Sequence, residues 1–524
     1  MATITAPSFT GLFLERMSAA SYPEVCAWVI GLFWLITFVT SQDSPKVKGA
    51  PIVGKKFWLE PSVFQRLRFT TQSRHVLQDA YNKFKDRIFV VRRVDRDINV
   101  LPAKYLDEMR SLPRPVMNGT IPQVLNLCAK YTSIHFMLTS DLLLRVINNK
   151  LTPDLTKYVD MAKVEMDYSF TVDLPQPDDW IEFDIQAATR NIISRMSSKI
   201  FLGYPACRNQ DWIDMSIQFT ADLFGTAFIL KHFPEWMRPV VGPFIPHRYR
   251  MKSIVERGKK IVGEQIDNHR NNRANEIETE DTLLAWMLDN GTAKEYALEE
   301  MTQRQLLLVL ASIHTTTMAT ANFLFDLCTH PEYFSVLRDE IKEVTEKYGR
   351  IGENKDMPAK IWLTKLEKMD SFLIESQRFE PSVHLKPQRV ALQEINLKDG
   401  TVIPKGAMIA WAGHQHANDP LVNQDPDRFD PMRAYRKRYA NNKAEFNKYV
   451  AGVNESSSLA FGYGNQACPG RYFAVNELKL MLSRLVAEYD FALPKGAQRP
   501  KSFDVEENII LDKDAKILMR SRKI

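Results

Sequence analysis

A single cysteine, Cys468, lies in the glycine-rich stretch 461–471, which has the sequence FGYGNQACPGR and precedes an apolar segment with helical spacing. Gly464 and Gly470 let the backbone turn tightly and come close to a large flat ligand. Because the cysteine would lie at the positive end of a helix, its thiolate is favoured, and the thiolate is the form that binds metal. The stretch therefore predicts a cysteine ligand for a metal.

Two other interpretations of this stretch compete with a metal ligand. The spacing Gly462-x-Gly464-x-x-Ala467 matches a dinucleotide-binding fingerprint. That fold needs a clear apolar strand before the glycines and a long α/β repeat after them, and neither is present in the sequence here. The second alternative, a free cysteine that packs as a small buried side chain, stays open when the stretch is considered alone.

A predicted helix at 301–328 carries a second group of polar residues. Its segment 306–311 is almost continuously apolar, which predicts a helix buried on all sides. His314, Thr315 and Thr316 nevertheless stand in its middle. Polar residues in such a helix either bond back to the preceding turn and bend it, or serve a site. The spacing alone leaves both interpretations open.

A third group consists of Glu375, Arg378 and Arg428. Glu375 and Arg378 end a predicted helix before Pro381, and their spacing puts carboxylate and guanidinium on one face. Arg428 offers a second guanidinium, whose fixed fork suits pairing with a carboxylate in a buried network. A surface ion pair of little energetic value is the competing interpretation.

The composition is that of an ordinary globular protein of 524 residues. The formal net charge of +6, from 69 basic and 63 acidic residues, is too balanced to indicate nucleic-acid binding. The five cysteines are scattered without paired spacing, which predicts neither a disulfide framework nor a zinc site. Cysteine usage therefore favours a reducing compartment for the globular part.

The spacing of apolar residues divides the chain into three parts. Helical spacing prevails from about 61 to 380, and short hairpins follow between 389 and 411, with turns at Asp399-Gly400 and Lys405-Gly406. This pattern predicts a mainly α domain with small β-sheets, of the α+β class, over residues 61–524. Residues 46–60 form a helix-free connector rich in proline and glycine, and residues 1–45 form an N-terminal segment.

The N-terminal segment contains a charge-free apolar run at about 25–40. As a helix it would be about 24 Å long, near the lower limit for crossing a bilayer. Arg16 is the cation before the run, whereas four lysines follow it within residues 46–56, so the rest of the chain would face the cytosol. A cleaved signal peptide is the alternative, with a poor cleavage site at 39–41. Charge favours a single transmembrane anchor, and the endoplasmic reticulum membrane is thin enough for it.

In this order and spacing, the motifs resemble those of the cytochrome P450 superfamily of haem-thiolate monooxygenases. The motifs are 311–315 (ASIHT), Glu375-x-x-Arg378, 426–429 (PDRF) and the cysteine stretch itself. Their details are most similar to fungal members of secondary metabolism, including ent-kaurene-oxidase-like and indole-diterpene oxidases. The resemblance covers essentially the whole chain and implies the cytochrome P450 fold, preceded by the single transmembrane helix.

The resemblance implies haem b as the cofactor, with the Cys468 thiolate as the axial ligand of its iron. Such a thiolate donates electron density that favours cleavage of the O–O bond, and N–H groups of the glycine loop tune the sulfur. Phe461 would pack beside the thiolate and limit water. Gly464, Gln466 and Gly470 would belong to the haem-binding loop.

The resemblance also implies roles for the other two groups. On the opposite haem face, the polar break in the long helix would form a groove for dioxygen, where Thr315 would help to deliver protons, with His314 and Thr316 beside it. His314 replaces the acid that usually precedes this threonine. Because imidazole titrates near neutrality, it could relay a proton or contact substrate. The core behind the haem would be fixed by Glu375, Arg378 and Arg428.

The chain departs from the superfamily where the haem propionates bind. Gln466 stands where an arginine or histidine is usual and supplies no charge, so cations are needed elsewhere. Arg389 is the candidate, although Gln388 could align in its place. The usual Trp-x-x-x-Arg helix is missing near 144–153, which leaves Arg145 or Lys150 as substitutes. Replacing Gln466 by arginine is therefore expected to tighten haem retention.

The implied activity is oxidation of C–H bonds in a hydrophobic secondary metabolite, a terpenoid such as a diterpene or indole diterpene. Dioxygen is the co-substrate, and NADPH supplies electrons through cytochrome P450 reductase, with cytochrome b5 as a further candidate partner. The basic run 433–438 would suit docking of an acidic reductase, or would form a solvated face. Alternatives are an oxidase of an alkaloid, polyketide or steroid, a reductase-independent isomerase or dehydratase, and a non-catalytic haem-binding protein.

Overall fold

The computed structural model describes Ser21, Glu24, Gly31 and the ranges 44–58, 60–440 and 443–523. Apart from Gly31, the predicted membrane anchor at 25–40 lies outside the described residues. The described part of the connector 46–60 contains no helix. It packs on the sheet that follows it, because the Val53 N–H donates a hydrogen bond of 2.9 Å to the Val90 carbonyl.

Helices form about half of the described chain. They span Ser62–Phe84, Leu106–Met109, Thr120–Asn126, Leu142–Val146, Leu155–Val172, Ile185–Phe201, Gln210–Lys231, Arg238–Val241, Pro246–Ala274, Leu283–Asn290, Leu298–Thr329, Tyr333–Tyr348, Ala359–Thr364, Glu367–Phe379, Gly413–Ala417, Arg433–Ala440 and Arg471–Glu488. The strands are β1 (Phe89–Arg92), β2 (Asp97–Leu101), β3 (Met117–Asn118), β4 (Ile181–Phe183), β5 (Leu385–Ala391), β6 (Ile395–Asn396), β7 (Val402–Ile403), β8 (Met408–Ala412), β9 (Tyr489–Ala492), β10 (Ser502–Val505), β11 (Asn508–Leu511) and β12 (Ile517–Ser521). The predicted class, mainly α with small sheets, is confirmed.

The strands form four small sheets. The largest has the order β1-β2-β8-β5-β3, with β2 and β8 parallel and the other neighbours antiparallel. The others are β4-β12-β9, β10-β11 and β6-β7. The predicted hairpin around Asp399-Gly400 is confirmed as β6-β7. The apolar pair Val390-Ala391 is the end of the longer strand β5, whose register against β8 shifts between Leu385 and Gln388.

The long helix Leu298–Thr329, here called the core helix, runs through the main hydrophobic cluster. Of the described helices, it and Gln210–Lys231 are long and apolar enough to cross a membrane, but 72% and 56% of their most apolar windows are buried in the protein. Packing on several sides explains the nearly continuous apolar run, as predicted.

The helix Arg471–Glu488, here called the cysteine helix, begins after Gly470 and packs against the core helix. Its buried face includes Leu478 and Leu482, and both side chains belong to the main hydrophobic cluster. Burial of this face fixes the direction in which the preceding loop enters the protein. The two chemically interesting segments of the sequence are thereby held on neighbouring helices.

Candidate active site

The loop that carries Cys468 is held by its own main chain. The Cys468 N–H donates to the Phe461 carbonyl at 2.8 Å, and the Ala467 N–H donates to the Gly464 carbonyl at 3.2 Å. Burial raises the pKa of the Cys468 thiol, whereas a hydrogen bond from the Gly470 N–H acts in the opposite direction. A metal cation at the sulfur would favour the thiolate further. The loop therefore presents a sulfur with one main-chain donor already in place.

Gly464 is required by packing within the protein. Its φ is +77°, and a Cβ atom at this position would lie 2.2 Å from the Arg110 carbonyl oxygen. The sequence suggested that this glycine admits a flat ligand, but its close neighbour in the structure is the main chain of Arg110. At Gly470, by contrast, a Cβ atom would meet nothing within 4 Å.

Several side chains of these core elements are open to internal space. Cys468 on its loop, and Ala311, His314 and Thr315 on the core helix, all have substantial accessible surface. Burial nevertheless raises the pKa of Cys468 and lowers that of His314, so protein atoms surround both groups. The loop and the core helix therefore line interior cavities rather than the outer surface.

Thr315 and Thr316 occupy different environments on the core helix. The Thr315 hydroxyl donates to the Ala311 carbonyl at 3.0 Å, the backward bond that the sequence left as one of two interpretations. Thr316 is only 2% exposed. Because each helical residue turns the side chain by about 100°, Thr316 points into packed protein, away from the open face of Thr315. The prediction that Thr316 is a catalytic residue is therefore corrected.

His314 lies on the open face of the core helix. Its ring centroid is 5.3 Å from that of Phe224, on the helix Gln210–Lys231. Burial, with a smaller contribution from the Arg190 charge, lowers its pKa. The imidazole is therefore neutral at pH 7, with one nitrogen that donates and one that accepts.

Two arginines form a cationic cluster beside the cysteine loop. Arg389 is 6% exposed and donates to main-chain carbonyls of Gln388, Tyr463 and Gln466 at 2.7, 3.3 and 2.9 Å. Burial and the nearby charge of Arg114 lower the pKa of Arg389 to about 10. No carboxylate among the described residues pairs with either guanidinium. The cluster therefore fits an anionic ligand.

These features test whether haem b fits the residues present. Haem carries two propionates at one edge and an iron at its centre. The sulfur of Cys468 opens onto internal space, and Arg389 and Arg114 supply charge that the protein leaves uncompensated. The residues fit this cofactor, with the cysteine as iron ligand and the two arginines as propionate partners. Arg114 was missed in the sequence because it belongs to none of the recognised motifs.

Gln466 is a main-chain clamp. Its side-chain oxygen accepts from the Gly119 N–H at 2.8 Å, and its amide donates to the carbonyls of Met117 and Leu112 at 2.8 and 3.3 Å. These bonds fix the segment that carries Arg114. The amide group of Gln466 is thus occupied by hydrogen bonds within the protein, and the positive charge for the propionates comes from the arginine cluster.

Replacing Gln466 by arginine is expected to loosen haem retention, opposite to the expectation from the sequence. Arginine has no acceptor for the Gly119 N–H and adds a third cation beside two unpaired ones. Haem transfer to apomyoglobin should be several-fold faster than from the wild type. Asn465→Arg, which adds the same charge at the exposed neighbouring position, is the control. Slower transfer from the Gln466 variant would contradict the clamp.

Arg145 and Lys150, the other suggested propionate partners, are paired with carboxylates. Arg145 Nη2 lies 3.0 Å from a Glu295 carboxylate oxygen, and Lys150 Nζ lies 2.8 Å from Asp281. Both cations are neutralised within the helical region. Their suggested role at the haem is corrected, because both have counter-charges, whereas no carboxylate among the described residues pairs with Arg389 or Arg114.

Glu375 and Arg378 form a buried bidentate ion pair, with N···O distances of 2.7 and 3.0 Å. The Asp430 N–H also donates to Glu375, at 2.9 Å. The second guanidinium beside Glu375 is that of Arg433, at 3.4 Å, whereas Arg428 contributes its main-chain carbonyl to Arg378. The predicted guanidinium role of Arg428 is corrected, because its main-chain carbonyl, and not its guanidinium group, contacts Arg378.

The basic run 433–438 is built into the protein and is not a fully solvated face. Arg438 is 6% exposed and lies 3.5 Å from Glu367, and the Arg433 side chain is 11% exposed. Burial also lowers the pKa of Lys437. In the sequence, this run was the signal that could have located the second guanidinium beside Glu375.

Comparison with known proteins identifies the family of this chain. A family model described as Cytochrome P450 matches residues 139–519. Cytochrome P450 monooxygenase ATR4 of Stachybotrys chlorohalonatus is 44% identical, over 96% of this chain and 97% of that protein. Ent-kaurene oxidase P450-4 of Gibberella fujikuroi is 37% identical over the same shares. Cytochrome P450 monooxygenase sdnB of Sordaria araneosa is 35% identical, over 100% of this chain and 97% of that protein.

Proposed function

The chain belongs to the cytochrome P450 family, and from this premise we propose that it is a membrane-anchored haem-thiolate monooxygenase that oxidises C–H bonds of a hydrophobic secondary metabolite. The family gives the enzyme class, an oxidoreductase of the cytochrome P450 monooxygenase type. The observation that carries the proposal is the open Cys468 sulfur beside the uncompensated pair Arg389 and Arg114.

The residues around the haem have distinct tasks. When bound, haem b supplies the iron centre at which dioxygen is reduced and activated. Cys468 ligates the iron, and the Gly470 N–H stabilises negative charge on the sulfur. Arg389 and Arg114 hold the propionates. Phe461 anchors the cysteine N–H through its carbonyl and restricts water near the sulfur.

Residues on the core helix handle protons. The Thr315 hydroxyl group donates its hydrogen to the Ala311 carbonyl. The lone pairs of its oxygen, on the open face of the helix, are therefore free to accept a hydrogen bond. His314 is neutral, and one ring nitrogen donates while the other accepts. Such a pair can move protons toward dioxygen without carrying a permanent charge in the cavity.

Replacing His314 by alanine is expected to raise, several-fold, the share of oxygen consumed without product. The reason is that loss of the imidazole removes a proton donor and acceptor beside Thr315. Oxygen uptake, NADPH oxidation and product are measured together. Phe224→Ala is the control, because it removes the ring that packs on His314 but no titratable group. Unchanged coupling with weaker substrate binding in both variants would make His314 a cavity wall.

We propose a terpenoid as the substrate, such as a diterpene or indole diterpene. The support is the similarity to an ent-kaurene oxidase along nearly the whole chain. An alkaloid, polyketide or steroid is the alternative, and binding spectra of the holoenzyme against a panel of these classes decide between them. Diterpenes should bind with the lowest dissociation constants.

The proposed electron donor is NADPH through cytochrome P450 reductase, with cytochrome b5 as an additional donor. Purified holoenzyme is incubated with the best-binding substrate, NADPH and isotopically labelled dioxygen, with and without reductase. One labelled oxygen atom in the product, formed only when reductase is present, supports the monooxygenase. Reductase-independent conversion without label would identify an isomerase or dehydratase. Failure of any panel compound to bind would favour a non-catalytic haem protein.

The proposed location is the endoplasmic reticulum membrane, with one pass near 25–40 and the catalytic domain, 61–524, in the cytosol. The support is the charge-free apolar run followed by lysines. Protease added to intact microsomes should degrade the catalytic domain. Protection until detergent is added would place the domain in the lumen and contradict the proposal.

A further inference from the structure

Three polar side chains form a closed triangle where three helices meet. Glu477 lies on the cysteine helix, Ser312 on the core helix and Ser197 on the helix Ile185–Phe201. The Ser197 hydroxyl lies 2.9 Å from Glu477 Oε1, and the Ser312 hydroxyl lies 2.9 Å from Oε2. The two hydroxyl oxygens are 2.7 Å apart. Glu477 is 1% exposed and Ser197 is fully buried.

Counting hydrogens distinguishes the two protonation states of this triangle. Each side of the triangle has hydrogen-bond length and needs one hydrogen. An ionised Glu477 accepts from both serines, which uses both hydroxyl hydrogens and leaves the short Ser197–Ser312 contact without one. A neutral carboxyl group brings the third hydrogen. It donates to one serine, that serine donates to the other, and the second serine donates back to the carboxyl oxygen.

We propose that Glu477 is held as a neutral carboxylic acid and acts as a positioning residue, which closes a ring with Ser197 and Ser312 and fixes the cysteine helix against the core helix.

The surroundings of Glu477 favour the neutral form. The cations within two positions of the ring on these helices have partners of their own: Arg195 pairs with Asp173 and Lys479 with Asp370. Lys199, two residues beyond Ser197 on the same helix, pairs with Glu280. Among the described residues, no cation contributes to the pKa shift of Glu477. Burial raises this pKa to about 7, against smaller opposing effects of the two serines.

The ring joins the two helices that hold the two parts of the candidate active site. Ser312 directly follows Ala311 and precedes His314 by two positions, whereas Glu477 lies on the helix that follows Cys468. A ring that joins these helices fixes the separation between the sulfur and the open face of the core helix. This last step rests on the proposed function, but the protonation state of Glu477 does not.

Infrared spectra of the holoenzyme test the protonation state without turnover. At pH 6, the wild type should show a buried carboxylic-acid C=O band that disappears in Glu477→Gln and is shifted in Ser312→Ala. Glu340→Gln is the matched control, because burial also raises the pKa of Glu340 to about 7 and it should account for a different band. Absence of any band that depends on Glu477 would overturn the proposal.

The pH dependence of stability provides an independent test of the protonation state of Glu477. A folded-state pKa of about 7, above the ordinary glutamate value of 4.5, means that the folded protein keeps a proton that the unfolded chain has released. Relative to Glu477→Gln, which does not titrate, the wild type should lose melting temperature as pH rises from 4.5 to about 7, with no further relative change above. A flat difference across this range would contradict a neutral Glu477.

Rescue by the conservative variant tests positioning. Glutamine offers an N–H donor and a carbonyl acceptor in place of the O–H and C=O of the neutral acid, so it can close the same ring. Glu477→Ala is expected to lower the share of electrons that reach product several-fold, and Glu477→Gln is expected to restore most of it. Equal loss in both variants, with the acid band present in the wild type, would leave the neutral acid in place but reject the positioning role.

Discussion

Replacing Glu375 by glutamine is expected to lower the free energy of unfolding by about 3–5 kcal/mol, because it breaks a buried ion pair from one side. Glu375 is 2% exposed, and both Arg378 and Arg433 direct guanidinium groups at it. Glutamine keeps the shape and can still accept from the Asp430 N–H. Both cations would then remain buried without a counter-charge, which costs more than the lost hydrogen bonds.

Chemical denaturation of the holoenzyme, followed by the haem absorbance and by helical content, measures this effect. Asp141→Asn is the matched control, because it removes the carboxylate from the largely exposed pair with Arg145. Exposed pairs of this kind are worth at most about 1 kcal/mol. If the two variants lost similar stability, the Glu375 network would not be holding the core.

Replacing Cys468 by serine is expected to abolish product formation. A serine hydroxyl cannot donate the electron density of a thiolate to iron. The arginine cluster and the glycine loop stay intact, so haem content after gel filtration should fall less than activity. Product per haem, with reductase and NADPH, is the measurement.

Cys328→Ser is the control for Cys468→Ser. Cys328 is a free cysteine like Cys468, but it lies on the core helix. Burial raises the pKa of its thiol to about 12. Its replacement should leave product per haem near the wild-type value. Loss of activity in both variants would point to general damage by cysteine replacement, and full activity of Cys468→Ser would remove the assigned iron ligand.

Much of the site could be predicted where chemistry and spacing are local. Glu375 and Arg378 share a helix face by their spacing, and the structure pairs them directly. The glycine loop and Cys468 could be located because both precede one apolar segment with helical spacing. The mainly α class with hairpins after Arg389 followed from the change of period in the sequence.

The rest depends on contacts between distant segments. The clamp between Gln466 and Gly119 joins positions 347 residues apart, and the sequence does not show which N–H the amide meets. Arg433 lies beside Glu375, where Arg428 was predicted. The path of the backbone, and not the motif, decides which of the two side chains points inward. Thr316 was misplaced because a run of polar residues does not tell which one faces the open side of a helix.

The ring of Glu477, Ser197 and Ser312 shows the same limit. Ser312 lies in the motif 311–315, but nothing in the three helical segments indicates that it meets Ser197 and Glu477. The protonation state of the ring is inferred from the short contact between the two serine hydroxyl groups, and this contact is created by the packing of three helices. Counting the hydrogens available for the three contacts indicates the protonation state of Glu477, which composition and spacing do not reveal.

The absorption spectrum of the reduced wild-type holoenzyme with carbon monoxide tests most directly whether Cys468 is the thiolate ligand of a haem iron. The wild-type protein should show the red-shifted band characteristic of thiolate ligation, and Cys468→Ser should lack it. A spectrum typical of haem with a nitrogen or neutral ligand in the wild type, or the same band in both proteins, would contradict the assignment.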